Sequence, residues 1–170
     1  MKNSMNPSIL IRPADLSDLE AITEIYNEAI LTTTATFDIE PKTRSEQLVW
    51  FQDHDVRHPV LVAMLDGKAV GWACLSKWSG RCAYADTAET SFYVKAEYRG
   101  QGIGRKLKGA IIEKARHLKF HSLIARVAQG SNESLHLNEV FGFVYVGTLK
   151  EVGRKFNKLL DVHIFQKMLD

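Results

Sequence analysis

A glycine-rich stretch between two arginines is the part of the sequence best suited to binding an anion. Residues 99–105 read Arg-Gly-Gln-Gly-Ile-Gly-Arg. They follow a β-branched and aromatic segment at 92–94, and apolar residues then recur at helical spacing over 103–118. The first N–H groups of a helix lack intrahelical partners, and glycines beside them let an anion approach closely. The stretch therefore predicts a phosphate-binding turn between a strand and a helix.

Two common phosphate-binding motifs do not fit this stretch. A P-loop needs Lys-Ser or Lys-Thr after its last glycine, whereas Gly104 is followed by Arg-Lys. A dinucleotide fingerprint needs a further glycine at 105 and an acidic residue about 20 positions later, and 120–126 contains no acid. A turn that only reverses the chain remains an alternative. The pattern that fits, with Arg99, Gly102 and Gly104 in Arg-x-x-Gly-x-Gly, resembles the pyrophosphate loop of the GCN5-related N-acetyltransferases (GNAT), which implies acetyl-coenzyme A.

Composition is typical of one globular domain that acts on a small molecule. The chain has 170 residues, 45% hydrophobic and 25% charged, so 1–170 fits a single domain in which 1–7 are expected to be flexible. The net charge is +2 without charged blocks, which argues against nucleic acid or a membrane as a partner. No apolar run reaches the roughly 20 residues of a membrane span, and 1–7 lacks a signal-peptide core. We expect a cytoplasmic protein without a metal, because Cys74 and Cys82 fit neither a disulfide framework nor a metal pair.

The remaining chain alternates strands and helices without an internal repeat. A capping box of Ser17 and Glu20 predicts the start of a helix with Leu16 on its buried face. Asp66 and Gly67 between two apolar runs predict a hairpin. Strands are predicted at 9–12, 60–65, 69–75, 92–94, 123–128, 145–149 and 162–168, a loop at 32–43, and further helices near 45–54, 103–118 and 132–141.

This order of elements resembles the GNAT fold from residue 9 to residue 168. The resemblance implies an α/β (α+β) fold with a central, mixed, mostly antiparallel twisted sheet of about seven strands flanked by about four helices. Five segments resemble the phosphinothricin and methionine sulfoximine N-acetyltransferase branch: 11–14, 34–37, 88–94, 132–135 and 153–155. That branch of acyltransferases acetylates the α-amine of small amino-acid analogues such as phosphinothricin, methionine sulfoximine and methionine sulfone.

Glu89 is the candidate for the catalytic base. Acetyl transfer to an amine needs a base, a donor for the developing oxyanion and a proton for the leaving thiolate. Glu89 lies in a segment that otherwise has the composition of a buried strand, and a carboxylate in a partly apolar site suits a base. The resemblance implies this role, either directly or through water. The alternative is a structural carboxylate paired with a lysine or arginine.

The resemblance places acetyl-coenzyme A on the glycine-rich turn, the strand before it and the helix that begins near 132. Main-chain N–H groups of 101–105 would bind the pyrophosphate, with charge-assisted contacts from Arg99 and Arg105. The N–H of Val94 would bind the thioester carbonyl, and Asn132 the pantetheine arm, although Asn132 also suits a helix N-cap. The predicted set is Phe92, Tyr93, Val94, Arg99, Gly100, Gln101, Gly102, Ile103, Gly104, Arg105, Asn132 and Ser134.

Five residues match positions that the branch uses around its acceptor: Phe37, Trp78, Arg81, Tyr84 and Lys155. An arginine beside aromatic rings suits an amino-acid carboxylate or a phosphinate, while core packing is the alternative for Phe37 and Trp78. Asp86, Asn157 and Leu159 depart from the branch pattern, where an aromatic residue, a glycine and a tryptophan are usual. The acceptor can therefore differ in size or polarity.

No residue is assigned as the acid that protonates the leaving thiolate. Many relatives carry tyrosine or histidine four residues before a Gly-Phe pair, and this position is Asn138 here. A thiol with a pKa of about 8.5 leaves without an acid tolerably well, so water can serve. Two other functions stay open: acetylation of a protein N-terminus or a drug amine, and a coenzyme A-binding sensor that has lost turnover.

The resemblance also implies a homodimer with active sites near the interface. Late apolar residues that a monomer of this size need not expose would supply the contact: Phe156, Leu159, Leu160 and Ile164.

Overall fold

Seven strands and four α-helices make up the computed structural model, which describes residues 8–169. The strands are β1 Leu10–Pro13, β2 Val60–Leu65, β3 Lys68–Lys77, β4 Thr87–Val94, β5 Ser122–Ala128, β6 Val144–Lys155 and β7 Lys158–Met168. The helices are α1 Leu19–Thr32, α2 Arg44–Gln52, α3 Ile103–His117 and α4 Asn132–Val140. The predicted flexibility of 1–7 lies outside the described residues.

All seven strands form one sheet in the order β1-β2-β3-β4-β5-β7-β6. Neighbouring strands are antiparallel except β4 and β5, which run parallel. The predicted fold class, a mixed and mostly antiparallel sheet flanked by helices, is therefore confirmed. Within residues 8–169, no helix combines the length and the apolar composition that crossing a membrane requires.

The two faces of the sheet pack against different helices. One core joins α3 to β3, β4 and β5, and the apolar stripe predicted for this helix is buried there through Ile103, Leu107 and Ile111. Each such side chain contributes about 1.5 to 3 kcal/mol on burial. The other core joins Ile22 and Ile25 of α1 to β2 and β3. Strand β4 lies between these two layers.

The start of α1 differs from the sequence prediction. The capping box is formed by Asp15 and Asp18 around a short 3-10 turn, not by Ser17 and Glu20. The Asp15 carboxylate accepts from the backbone N–H of Ser17 at 2.8 Å, and the Asp18 carboxylate accepts from that of Asp15 at 2.9 Å. Because the chain enters the helix through this turn, Leu16 points outward and is 59% exposed.

Hairpin turns are confirmed at one place and were missed at another. Asp66 and Gly67 have φ values of 48° and 77° and join β2 to β3, as a two-residue turn with left-handed residues requires. Phe156 and Asn157, with φ values of 49° and 58°, join β6 to β7 in the same way. The sequence predicted this strand only as far as 149, because the stretch before the second turn is polar and contains glycine. In the structure β6 continues through that stretch with a shift in register between Leu149 and Gly153.

Candidate active site

A gap opens in the sheet where β4 and β5 separate. The two strands pair only over Thr87–Glu89 and Ser122–Ile124. On the other side of β4, Lys95 N–H donates to Val70 O at 2.9 Å, so Val94 and Gly71 form a pair without mutual hydrogen bonds. The N–H of Val94 therefore points away from β3 and into the gap. This is the orientation that a donor to a thioester carbonyl needs.

The glycine-rich turn presents the N-terminus of α3 beside this gap. Gly100 and Gly102 have φ values of 73° and 80°, and Gly102 is the N-cap of the helix. The first helical bond runs from Lys106 N–H to Gly102 O at 3.1 Å. The N–H groups of 103–105 precede it and are free of intrahelical partners, which suits a phosphate.

Gly104 also allows the helix to pack closely on the preceding strand. A Cβ on Gly104 would lie 3.1 Å from Cε2 of Phe92, so this glycine lets α3 pack closely on β4. The side chain of Ile103 is 1% exposed and belongs to the core, so only its main chain can serve a ligand. At Gly100 and Gly102 a Cβ would meet nothing within 4 Å, and these are the glycines that border open space.

A cleft of about 830 Å³ connects the turn to α4 and to the loop after α1. Every predicted cofactor residue except Gln101 lines it. The Gln101 side chain turns back, with Nε2 3.5 Å from Glu97 O. Arg99 is fixed by its Nε, which donates to Val94 O at 3.0 Å. The cleft thus combines free N–H groups, arginines and an apolar wall, and it fits a long ligand with a pyrophosphate and a neutral arm.

Glu89 forms a bidentate ion pair with Arg126 of β5. Arg126 Nε and Nη2 donate to Oε1 and Oε2 of Glu89 at 2.7 and 2.9 Å. The Glu89 side chain is 15% exposed and that of Arg126 is 55% exposed. The hydrogen bonds to Glu89 raise the pKa of Arg126 above its ordinary value. Glu89 is the last residue of β4 that pairs with β5, so the ion pair lies where the gap begins.

Arg126 was not among the residues predicted from the sequence. It is the one charged residue in β5, and it follows Ile124, the register partner of Glu89, by two positions. Side chains two apart along a strand share a face, so the pattern could have placed Arg126 beside Glu89. What the sequence could not provide is the parallel pairing of β4 with β5.

The predicted acceptor residues divide into two groups. Trp78 lies beside the ion pair, with the Arg126 guanidinium carbon 5.9 Å from its ring centroid. Arg81 and Tyr84 are exposed on the segment between β3 and β4. Phe37 packs on Gly153, and Lys155 Nζ, which is buried, donates to Thr36 O at 2.7 Å.

Desolvation lowers the pKa of Lys155. Phe37 and Lys155 hold the loop after α1 against β6, which is the packing role that the sequence left open for Phe37. Trp78 is a predicted acceptor residue that the fold brings beside Arg126, the ion-pair partner of Glu89.

A second cavity of about 400 Å³ lies on the face of the sheet that carries Glu89. Its aromatic wall consists of Tyr26, Trp50, Trp72 and Tyr93. The Tyr26 hydroxyl donates to Asp38 Oδ2 at 2.6 Å, and burial raises the pKa of both tyrosines. Within residues 8–169, Trp72 Nε1 is buried without a hydrogen-bond partner. The same residues contain no group of three or more metal-ligating side chains placed to hold an ion.

Comparison with known proteins agrees with this geometry. Residues 20–143 match the model of the acetyltransferase (GNAT) family. The chain is 35% identical over 161 residues to the L-amino acid N-acyltransferase MnaT of Escherichia coli (strain K12), covering 94% of each. It is 34% identical, with the same coverage, to the L-methionine sulfoximine/L-methionine sulfone acetyltransferase of Salmonella typhimurium (strain LT2).

A solved structure extends the likeness to the fold. A GNAT superfamily phosphinothricin acetyltransferase from Sinorhizobium meliloti, in complex with acetyl-CoA, has a TM-score of 0.92 and 32% identity, covering 95% of this chain and 88% of that one. A family match over most of the chain, relatives above 30% identity and a shared fold lead to one assignment. The chain belongs to the acetyltransferase (GNAT) family of acyltransferases, whose acyl donor is acetyl-coenzyme A.

Proposed function

We propose that the protein transfers the acetyl group of acetyl-coenzyme A to the α-amine of a small amino acid or analogue, of the phosphinothricin, methionine sulfoximine or methionine sulfone type. The observation that carries this proposal is the Glu89–Arg126 pair at the mouth of the gap. An α-amino acid presents an amine and a carboxylate a few bonds apart. A carboxylate beside an arginine is complementary to both groups.

The proposal gives each of these residues a role. Glu89 accepts the proton of the attacking amine, directly or through one water molecule, while Arg126 binds the acceptor carboxylate. The N–H of Val94 donates to the carbonyl oxygen as negative charge develops there. The N–H groups at the start of α3, with Arg99 and Arg105, bind the pyrophosphate, and Asn132 and Ser134 contact the pantetheine arm.

The names of the relatives support the proposed class of acceptor but do not identify a single acceptor compound. Their names specify an L-amino acid in one case and methionine sulfoximine or sulfone in another. Asp86, which stands where the branch usually has an aromatic residue, forms an exposed ion pair with Arg57 at 2.7 Å. Because this position differs from the branch pattern, the acceptor has to be identified by measurement.

A screen of thiol release with a panel of amines tests the proposal. The panel contains phosphinothricin, methionine sulfoximine, methionine sulfone, the common L-amino acids, a peptide with a free N-terminus and an aminoglycoside. We expect the highest kcat/KM among the amino acids and their analogues. Preference for the peptide or the aminoglycoside would replace the proposal with another acceptor class. Tight coenzyme A binding without turnover of any amine would favour the sensor.

We also propose that two copies associate through the β6–β7 hairpin. β6 exposes apolar side chains on both of its faces, including Val144, Tyr145, Val146 and Val152. Leu160, predicted from the sequence for this interface, is only 7% exposed and packs inside the protomer. Phe156 at the hairpin tip also lines the cofactor cleft, so association at the hairpin would lie next to the active site.

A further inference from the structure

A small inner chamber of about 50 Å³ lies at the base of the gap between β4 and β5. It shares Phe92, Tyr93 and Ser134 with the walls of the cofactor cleft. Side chains from both faces of the sheet line it, with Ala125 from the α3 face and Arg126 from the face of Glu89. The chamber therefore lies between the end of the cleft and the proposed acceptor side.

Lys108 lines this chamber from α3 and is buried to an unusual degree for a lysine. It is 1% exposed and stands next to Leu107 on the apolar face of the helix. Its Nζ lies 4.3 Å from the ring centroid of Phe143 and 5.7 Å from that of Phe92. Among the residues that the structure describes, no carboxylate lies within ion-pair distance of Lys108. Aromatic faces contact this amine, and no counter-charge holds it.

The environment makes Lys108 a group that can exchange a proton near neutral pH. Desolvation lowers the pKa of its amine to about 7. A buried amine without an ion pair costs stability, so a position on an apolar helix face would ordinarily carry a leucine or alanine. Such a group beside a reaction site is a candidate for proton transfer.

Asn138 supplies a second, independent indication that the chamber receives a ligand. It is 1% exposed and lines the chamber from α4, and its Nδ2 donates to Ser134 O at 2.9 Å. Its Oδ1 is buried and has no hydrogen-bond partner within residues 8–169. A buried carbonyl oxygen left without a donor costs about 1 to 3 kcal/mol. A donor placed in the chamber would satisfy it.

We propose that Lys108 is the general acid of the reaction and protonates the coenzyme A sulfur as it leaves, in place of the acid that Asn138 cannot provide. The proposal rests on the proposed function as far as the acetyl donor is concerned, and it does not depend on which amine is the acceptor. Lys108 lines the chamber from α3, whereas the expected acid would have come from α4.

The proton and electron balance of this step is complete. The amine nitrogen forms a bond to the acetyl carbon, and the C–S bond breaks with its electron pair going to sulfur. The Lys108 ammonium gives one proton to that sulfur and becomes a neutral amine. The proton of the attacking nitrogen goes to Glu89 or water, and Lys108 regains a proton from solvent after the products leave.

Few other charged groups face the chamber. Tyr93 of β4 lines it, and burial raises its pKa, which keeps the phenol neutral. Arg126 of β5 lines it from the opposite face and is paired with Glu89. The lining residues from α4, Ser134 and Asn138, do not titrate. Lys108 is thus the lining group that changes charge around neutral pH.

The direct test is a titration of the thiol of bound coenzyme A, followed by the ultraviolet absorbance of the thiolate. Wild type, Lys108→Met and Lys106→Met are each saturated with coenzyme A in the absence of any acceptor. An ammonium beside the thiol favours the thiolate. We expect about tenfold more thiolate near neutral pH in wild type and in Lys106→Met, an exposed lysine on the same helix, than in Lys108→Met. Identical titrations in all three would overturn the proposal.

Kinetics of the same variants give a second readout. For Lys108→Met we expect kcat to fall by about a hundredfold with little change in coenzyme A affinity. The wild-type rate should also decline on the alkaline side as Lys108 loses its proton, and this decline should be absent in Lys108→Met. Retention of the alkaline decline in that variant would assign it to another group and contradict the proposal.

The test remains decisive if Lys108→Met does not fold. Nuclear magnetic resonance of ε-labelled lysine in the wild type, free and with coenzyme A, then reports the titration of Lys108 itself. We expect titration near neutral pH, shifted upward when the thiol is present. A titration unchanged by coenzyme A would refute the role. Failure of the amine panel would leave these coenzyme A measurements intact, so the two proposals fail separately.

Discussion

At the scale of single residues, substitutions at the Glu89–Arg126 pair test the roles proposed for it. We expect Glu89→Gln to fold and to bind coenzyme A, because Arg126 is half exposed and water can replace its partner. General base catalysis contributes a factor of about 10² to 10⁴ in rate, so kcat/KM should decrease by a factor in that range. In both proteins kcat/KM should rise with pH as the acceptor amine loses its proton, and wild type should show an additional step at lower pH that the variant lacks.

Glu113→Gln provides the control for that experiment. Glu113 pairs with Arg116 on the surface of α3, away from the gap, so this substitution removes a carboxylate without touching the site. Profiles of equal shape and rates within about threefold in wild type and Glu89→Gln would show that Glu89 is structural, since a base would contribute at least about a hundredfold.

Arg126 and Arg81 are both candidates for binding the carboxylate of the acceptor. A group that only binds the carboxylate contributes equally to ground and transition states, so its loss raises KM more than it lowers kcat. We expect this pattern for Arg126→Gln and, if the prediction from the sequence is right, for Arg81→Ala. Arg116→Ala serves as the remote control. If steady-state kinetics show no increase in KM for either variant, then neither arginine binds the acceptor carboxylate. The proposal of an amino-acid acceptor would then lose its structural support.

Lys108 gives a prediction about stability that does not involve turnover. Its pKa is about 7 in the folded protein, below the ordinary lysine value of 10.5 that applies when the chain unfolds. Between these values the unfolded chain binds a proton that the folded protein does not, so stability rises with pH. Urea unfolding of wild type should show this rise from pH 7 to 10.5, and Lys108→Met should lack it. Parallel curves would show that Lys108 is not desolvated.

At the scale of elements, Gly104 in the glycine-rich turn can serve either close approach of the pyrophosphate or close packing of α3 on β4. The sequence alone suggests that Gly104→Val would displace the pyrophosphate. The structure indicates instead that any Cβ there pushes against Phe92, so Gly104→Val should lower the melting temperature and coenzyme A affinity together. Loss of affinity with an unchanged melting temperature would restore the direct role at the phosphate.

Gly102 and Gly67 form a matched pair for testing whether the glycine-rich turn binds phosphate. Their φ values are 80° and 77°, and a Cβ on either would meet nothing within 4 Å. Alanine at each should therefore cost about 1 to 2 kcal/mol of stability through left-handed strain alone. Only Gly102→Ala should weaken coenzyme A binding in calorimetry. Equal affinities in the two variants would argue against a phosphate site at this turn.

At the scale of the whole molecule, the exposed apolar surface of β6 predicts association. We expect a dimeric mass by light scattering at micromolar concentration, and a monomeric mass for Val146→Lys, because a charge at an apolar interface is costly to bury. Val56→Lys, on the loop before β2, changes an even more exposed valine and should leave the dimer intact. A monomeric wild type would refute the proposed association.

The sequence by itself determined what depends on neighbours along the chain. The Asp-Gly hairpin, the amphipathic α3 and the glycine turn before it are local patterns, and the structure has each of them. The order of elements, through its resemblance to the GNAT fold, then predicted the fold class. The main local error, at the cap of α1, arose because Asp15 and Ser17 both suit an N-cap and only the geometry of the entering chain selects between them.

Only the tertiary structure decided which distant residues meet. Glu89 and Arg126 are 37 residues apart and pair because β4 and β5 run parallel and then separate. Phe92 and Gly104 touch because a helix crosses the strand that precedes it, and Lys108 is desolvated because aromatic rings from β4 and from the segment after α4 close around it. Hydrophobic periodicity specifies which face of an element is buried but not what covers that face. The chemistry of this site therefore depends on contacts that no local pattern contains.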